Sequence, residues 1–214
     1  MEKTWESKAA LYELLAKTFL FTQREIVGAL TSGEYQEALA EVTEINDLPK
    51  DWGECGANEL NRYRGKDEDE AFHRMRKEYT RLYIGSRDPL IIPFAGTWEA
   101  SQAGWKPLLF VGKKSMEIER FMRTCGIVRT GESNDPLDHI GSMLEFIMHL
   151  CMLNAGLVDR PAGVDIPDRA YEDFYEDHFI GFARAFAEET IEKSSEAFFT
   201  VGAQVLRALP DNPL

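Results

Sequence analysis

No stretch of the chain holds the run of about 18 apolar residues that a membrane-spanning helix needs, so the sequence predicts none. Cysteine is scarce: Cys55, Cys125 and Cys151 are widely spaced, and no C-x-x-C occurs. That spacing carries no zinc or dithiol signature, and the three read as reduced, partly buried small hydrophobes. There are four histidines, none at close ligand spacing. G-x-S-x-G and G-x-x-x-x-G-K-[ST] are both missing, which removes the nucleophile elbow and the phosphate loop. The first ten residues are charged and lack an apolar signal core, so a cytoplasmic protein is expected.

Bases are also scarce in one part of the chain. The net charge is −13, and residues 131–214 carry 16 acids against 5 bases, whereas residues 1–130 carry 21 against 19. Such a field disfavours a nucleic acid backbone and attracts basic partners. Otherwise the composition, 44% hydrophobic and 29% charged, is that of a globular protein with a sizeable core.

The apolar pattern is helical nearly throughout. Trp5, Ala9, Tyr12, Ala16 and Phe19 step by four and three along one face. Thr22 with Glu25 reads as a capping box ahead of Ile26, Val27 and Leu30, and Gly33 stops that helix. Tyr35, Leu39 and Val42 mark a third. Between Asn46 and Gly65 the period fades, which predicts loops around a short helix at most. The acids from Asp67 to Glu70 sit where a helix dipole favours them, ahead of the stripe Phe72, Met75, Tyr79 and Leu82. Gly85–Lys114 is the main irregular region, broken by Pro89, Pro93 and Pro107 and holding Phe94 and Trp98. Ser115 caps a helix ending at Gly126, and Asp135-Pro136 opens another ending at Gly156. Tyr171, Phe174, Tyr175, His178 and Phe182 form an aromatic stripe, and a last helix runs to Pro210. No repeat or linker divides the chain. The expectation is an all-α fold of about eight to ten helices in a single domain over residues 1–214.

The most informative spot is Asp138-His139. On a helix starting at Pro136, Asp138, Ser142, Glu145 and His149 share a polar face, with Asp138 and Glu145 roughly 10 Å apart along the axis. Three readings compete. In the first, Asp138 supports the helix terminus and His139 is packed. In the second, a small helical hydrolase or nucleotide-processing enzyme uses Asp138, His139 and Glu145. The order aspartate-histidine is the reverse of the HD phosphohydrolase dyad, however, and no further metal ligands accompany it. In the third, the pair belongs to a binding surface.

Two stretches carry a resemblance. The first is E-Y-T-R-L-Y-I-G-S-R-D-P-L-I-I-P-F, Glu78 to Phe94, followed by Trp98-Glu99; the second is E-S-N-D-P-L-D-H-I-G-S-M-L-E-F, Glu132 to Phe146. A weaker third is F-Y-E-D-H-F-I-G-F-A-R-A-F from Phe174. Together they resemble the TorD/DmsD family of redox-enzyme maturation chaperones, which includes the NarJ-like proteins. The wording departs from the family at Pro93-Phe94-Ala95-Gly96 and at Met143-Leu144-Glu145-Phe146.

The resemblance implies an all-helical, cytosolic, non-enzymatic protein without a cofactor or a metal. It would bind the twin-arginine leader, the body of a molybdopterin oxidoreductase, or both, before Tat export. Asp138, His139, Glu145, Pro93, Phe94, Trp98 and Tyr83 become the expected peptide-binding residues. The carboxylates would meet arginine forks and the aromatics would line an apolar groove. A contact between His139 and the loop carrying Pro93 would join the two motifs. A monomer and a dimer exchanging helices near 126–136 both fit the sequence.

Overall fold

The computed structural model describes residues 4–85, 89–104, 112–127, 136–211 and 213, with the backbone alone for 50–54. Among these residues the regular structure is entirely helical. Its segments are α1 (Trp5–Phe19), α2 (Arg24–Ser32), α3 (Glu34–Ile45), α4 (Lys50–Leu60), α5 (Glu68–Tyr79), α6 (Ala95–Gln102), α7 (Lys113–Thr124), α8 (Ile140–Ala155), α9 (Ala170–Phe174), α10 (Ile180–Lys193) and α11 (Ala197–Arg207). A π turn, Tyr175–Phe179, joins α9 to α10 in one continuous helix, and a second, Thr80–Ile84, extends α5. No helix among the described residues is long and apolar enough to cross a membrane.

The strongest periodic segments form as their spacing predicts. α1 buries Ala9, Tyr12, Ala16 and Phe19 against α8, α3 and α11. Its capping box is made by Thr4 and Ser7: Thr4 Oγ1 accepts from Ser7 N at 3.2 Å, and Ser7 Oγ from Thr4 N at 3.1 Å. The box expected at Thr22 and Glu25 does not form, because α2 begins one residue late, with Gln23 at the cap position and Thr22 turned inward. Asp67 caps α5 by accepting from Glu70 N at 2.9 Å. Gly33, Gly126 and Gly156 end their helices in the left-handed region.

Three further segments differ from expectation. Residues 50–60 form α4, although two glycines dilute its pattern. A Cβ on Gly56 would meet Val201 Cγ1 at 2.7 Å, so glycine there permits the close approach of α4 to α11. Within the irregular region, Ala95–Gln102 is helical; residues 86–88 and 105–111 of that region lie outside the described set. Ser115 sits inside α7 and does not cap it; Gly112 holds that position. Among the described residues the run Leu90-Ile91-Ile92 pairs with no strand; Ile91 N donates to Leu82 O at 2.9 Å.

The buried apolar residues form one continuous core. Its centre is aromatic: Phe186 of α10 takes Phe19 edge-on at 5.2 Å and Tyr83 stacked at 5.2 Å, while Phe198 meets Tyr35 at 5.3 Å. Offset and edge contacts of this kind add to the area they bury. The core holds the π turn after α5, the start of α6 and the start of α8 side by side, which creates the site described next.

Candidate functional site

The helix predicted to begin at Pro136 begins at Ile140. His139 is its N-cap, with Nδ1 accepting from Gly141 N at 3.1 Å. Asp138 therefore precedes the helix and does not share a helical face with Glu145. Its side chain turns inward, with the residue only 3% exposed. There Oδ2 accepts from Gly96 N at 3.1 Å and from Ser115 Oγ at 2.7 Å. One carboxylate thus ties the first turn of α6 to α7, with the negative charge at the end of α6 where free N–H groups and the helix dipole favour it. Glycine at 96 is required: a Cβ would lie 2.1 Å from Ser115 Oγ and 3.1 Å from Asp138 Oδ2.

Backbone pairing completes the frame. Phe94 and His139 form an antiparallel bridge, with Ile140 N donating to Pro93 O at 2.8 Å and Ala95 N to Asp138 O at 2.9 Å. The two motifs are joined in this way, and the rings of Phe94 and His139 lie 5.3 Å apart. With Nδ1 accepting from Gly141, the ring proton of neutral His139 resides on Nε2. Nε2 faces Tyr79 Oη at 3.4 Å, and that hydroxyl donates to Phe19 O at 3.3 Å. A buried histidine whose two nitrogens are engaged in this way braces α8 against α5 and α1 and offers no nitrogen to a substrate or a metal. Among the described residues, no group of three or more His, Cys, Asp or Glu could hold a metal ion.

The expected site residues separate into two groups. Pro93, Asp138, His139 and Tyr83 are buried. Tyr83 lies in the core, stacked on Phe186 with its hydroxyl 3.3 Å from Thr190 Oγ1, rather than on a groove. Phe94 and Trp98 are half-buried, with Trp98 5.7 Å from Phe182, and Glu145 is exposed on α8. Gly96, Ser115 and Tyr79 are parts of the frame that sequence reasoning missed. Only Tyr79 carried a signal, as a polar-tipped member of an otherwise apolar stripe.

A family model described as the nitrate reductase delta subunit matches residues 46–188, which include both halves of this frame. The chain belongs to that family, the TorD/NarJ-like chaperones. Two relatives are each called chaperone protein TorD, from strains M66-2 and O395 of Vibrio cholerae serotype O1. The first is 24% identical over 149 residues, 70% of this chain and 64% of the relative. The second is 22% identical over 204 residues, 95% of this chain and 88% of the relative. The chain thus spans just under two thirds of the first relative and most of the second. TorD/NarJ-like proteins are chaperones, not catalysts, so the hydrolase reading of Asp138, His139 and Glu145 falls. In this member of the family, the Asp138-His139 pair is an internal fastening between α5, α6, α7 and α8.

Proposed function

We propose that the chain is a cytosolic, system-specific chaperone for a redox enzyme. It binds the twin-arginine leader of a molybdopterin oxidoreductase, its folded body, or both, until the cofactor is inserted and the client is released for Tat export. The observation that carries this reading is the match of residues 46–188 to a chaperone family, together with two relatives named as TorD chaperones.

The chemistry of the surface supports the same reading. A twin-arginine leader is a basic segment followed by an apolar one. The acidic excess after residue 130 steers cations toward the chain. Glu145 lies exposed on α8, within that acidic half of the chain. Half-buried Phe94 and Trp98 present apolar area, while buried Asp138, His139, Pro93 and Tyr83 support the frame rather than touching the leader.

Calorimetric titration with a twin-arginine leader peptide tests the proposal. A Kd of about 1 μM, weakening as salt rises, is expected. A twin-lysine peptide should bind more weakly, because lysine cannot make the planar fork. Absence of binding, or equal affinity for the two peptides at all salt concentrations, refutes leader recognition.

A further inference from the structure

Most described arginines of this acidic chain are held by its own carboxylates. Arg24 ends on Asp69 at 2.6 Å, Arg74 on Glu196 at 2.7 Å, Arg81 on Glu78 at 2.7 Å and Arg123 on Glu119 at 2.6 Å. Arg76 is different. Its guanidinium lies 4.2 Å from the Phe21 ring centroid and 4.7 Å from that of Phe72. Its Nε donates to Thr22 O at 3.1 Å. No carboxylate among the described residues pairs with it. The residue that positions it also carries a buried hydroxyl, Thr22 Oγ1, that makes no hydrogen bond among the described residues. Phe21 is 39% exposed, one of the few large apolar side chains at this surface.

This arrangement makes Arg76 a preorganised fork. The two rings shield it from water, the Thr22 carbonyl sets its orientation, and the terminal nitrogens remain for a bidentate acceptor. An arginine flanked by exposed aromatic area has the composition of an interface hot spot. The position is continuous with the frame: Phe21 packs edge-on against Tyr79 at 5.3 Å, and Tyr79 reaches His139. We propose that Arg76, between Phe21 and Phe72, is a docking point for a carboxylate side chain set in an apolar surface of the client protein's folded body. Charge complementarity supports this occupant: on a chain of net charge −13, a guanidinium that no carboxylate among the described residues pairs with is where an acidic partner is tolerated. That the bearer of the carboxylate is a client rests on the chaperone reading above; the recognition chemistry does not.

The test follows the Arg76 Nε–H and Phe21 ring resonances by NMR while acetyl-Leu-Glu-Leu-amide is added to the full chain. Saturating shifts with a Kd of about 1–10 mM are expected. The glutamine analogue should give none, and Arg76→Lys should weaken the response about tenfold through loss of the fork. Phe21→Ala should weaken it as well, which keeps the idea testable if Arg76→Lys unfolds. An equal response to the glutamine peptide, an equal or stronger one to inorganic phosphate or to phosphatidylglycerol vesicles, or no shift at all overturns the proposal. Leader affinity is measured separately on Arg76→Lys and should stay within about twofold. Carboxylate shifts without leader binding would remove the leader reading and leave this one standing, and the converse result would do the reverse.

Discussion

Replacing Asp138 by alanine should cost stability before it costs recognition. The carboxylate accepts from the buried Gly96 N and from Ser115 Oγ, partners 42 and 23 residues away in the chain. Hydrogen bonds to a charged group contribute about 1.5–3 kcal/mol each, and a buried donor left without a partner costs about 1–3 kcal/mol. Against this stands the relief of no longer burying a carboxylate, which is several kcal/mol in principle. The net expected loss for Asp138→Ala is therefore about 2–4 kcal/mol. Ser115→Ala should lose about 1 kcal/mol, because Gly96 N still holds the carboxylate. Asp138→Asn keeps an acceptor oxygen and should fall between the two. Urea unfolding followed by circular dichroism reads these values. With a slope of about 2–3 kcal/mol/M, Asp138→Ala should lower the midpoint by about 1 M. The double variant Asp138→Ala/Ser115→Ala should be less destabilised than the sum of the singles, since the two share one hydrogen bond. A loss below about 0.5 kcal/mol for Asp138→Ala, with leader binding abolished, would refute the fastening role and make the carboxylate a direct contact.

Three further outcomes follow from the geometry. Burial opposes ionisation of Glu78, but hydrogen bonds from Arg81 and Ser195 outweigh it and hold the carboxyl below its ordinary value of 4.5. The stability this contributes is full above pH 4.5 and is lost as pH falls through the folded value, so Glu78→Gln should flatten the acid limb of the stability profile and cost about 2 kcal/mol at pH 7. Native thiol labelling at pH 8 should modify exposed Cys55 quickly and Cys125 and Cys151 only on unfolding, because burial pushes both thiols up, Cys151 to about 12; rapid labelling of all three would contradict the packing of α8. Gly56→Ala gains up to about 1 kcal/mol of helix propensity but drives a methyl into Val201, so a net loss of about 1–2 kcal/mol is expected in a thermal melt, and a stabilised variant would count against the close α4–α11 contact.

Legibility followed the range of the interactions involved. α1, α3, α5 and the aromatic stripe of α9 and α10 were readable because a long 3.6-residue period depends only on which side faces a core. Gly33 and Asp67 were readable because helix stops and caps are made within four residues. α4 was not, since Gly56 accommodates Val201 of a helix 145 residues further on. The start of α8 was misplaced for the same reason. Asp135-Pro136 has good local start chemistry, yet Asp138, His139 and Ile140 commit backbone and side-chain groups to Pro93, Ala95, Gly96, Ser115 and Tyr79.

The sequence alone determined the all-helical class, the acidic second half, the absence of catalytic and phosphate-binding motifs, and the resemblance that the family match bears out. It also singled out the two segments that meet. Tertiary structure decided what those segments are to one another. A carboxylate and an imidazole adjacent in sequence can face solvent, a metal or the interior, and local propensity does not distinguish these outcomes. The choice was made by the donors at the first turn of α6 and on α7 and by the hydroxyl of Tyr79, which only the packed core brings within hydrogen-bonding distance.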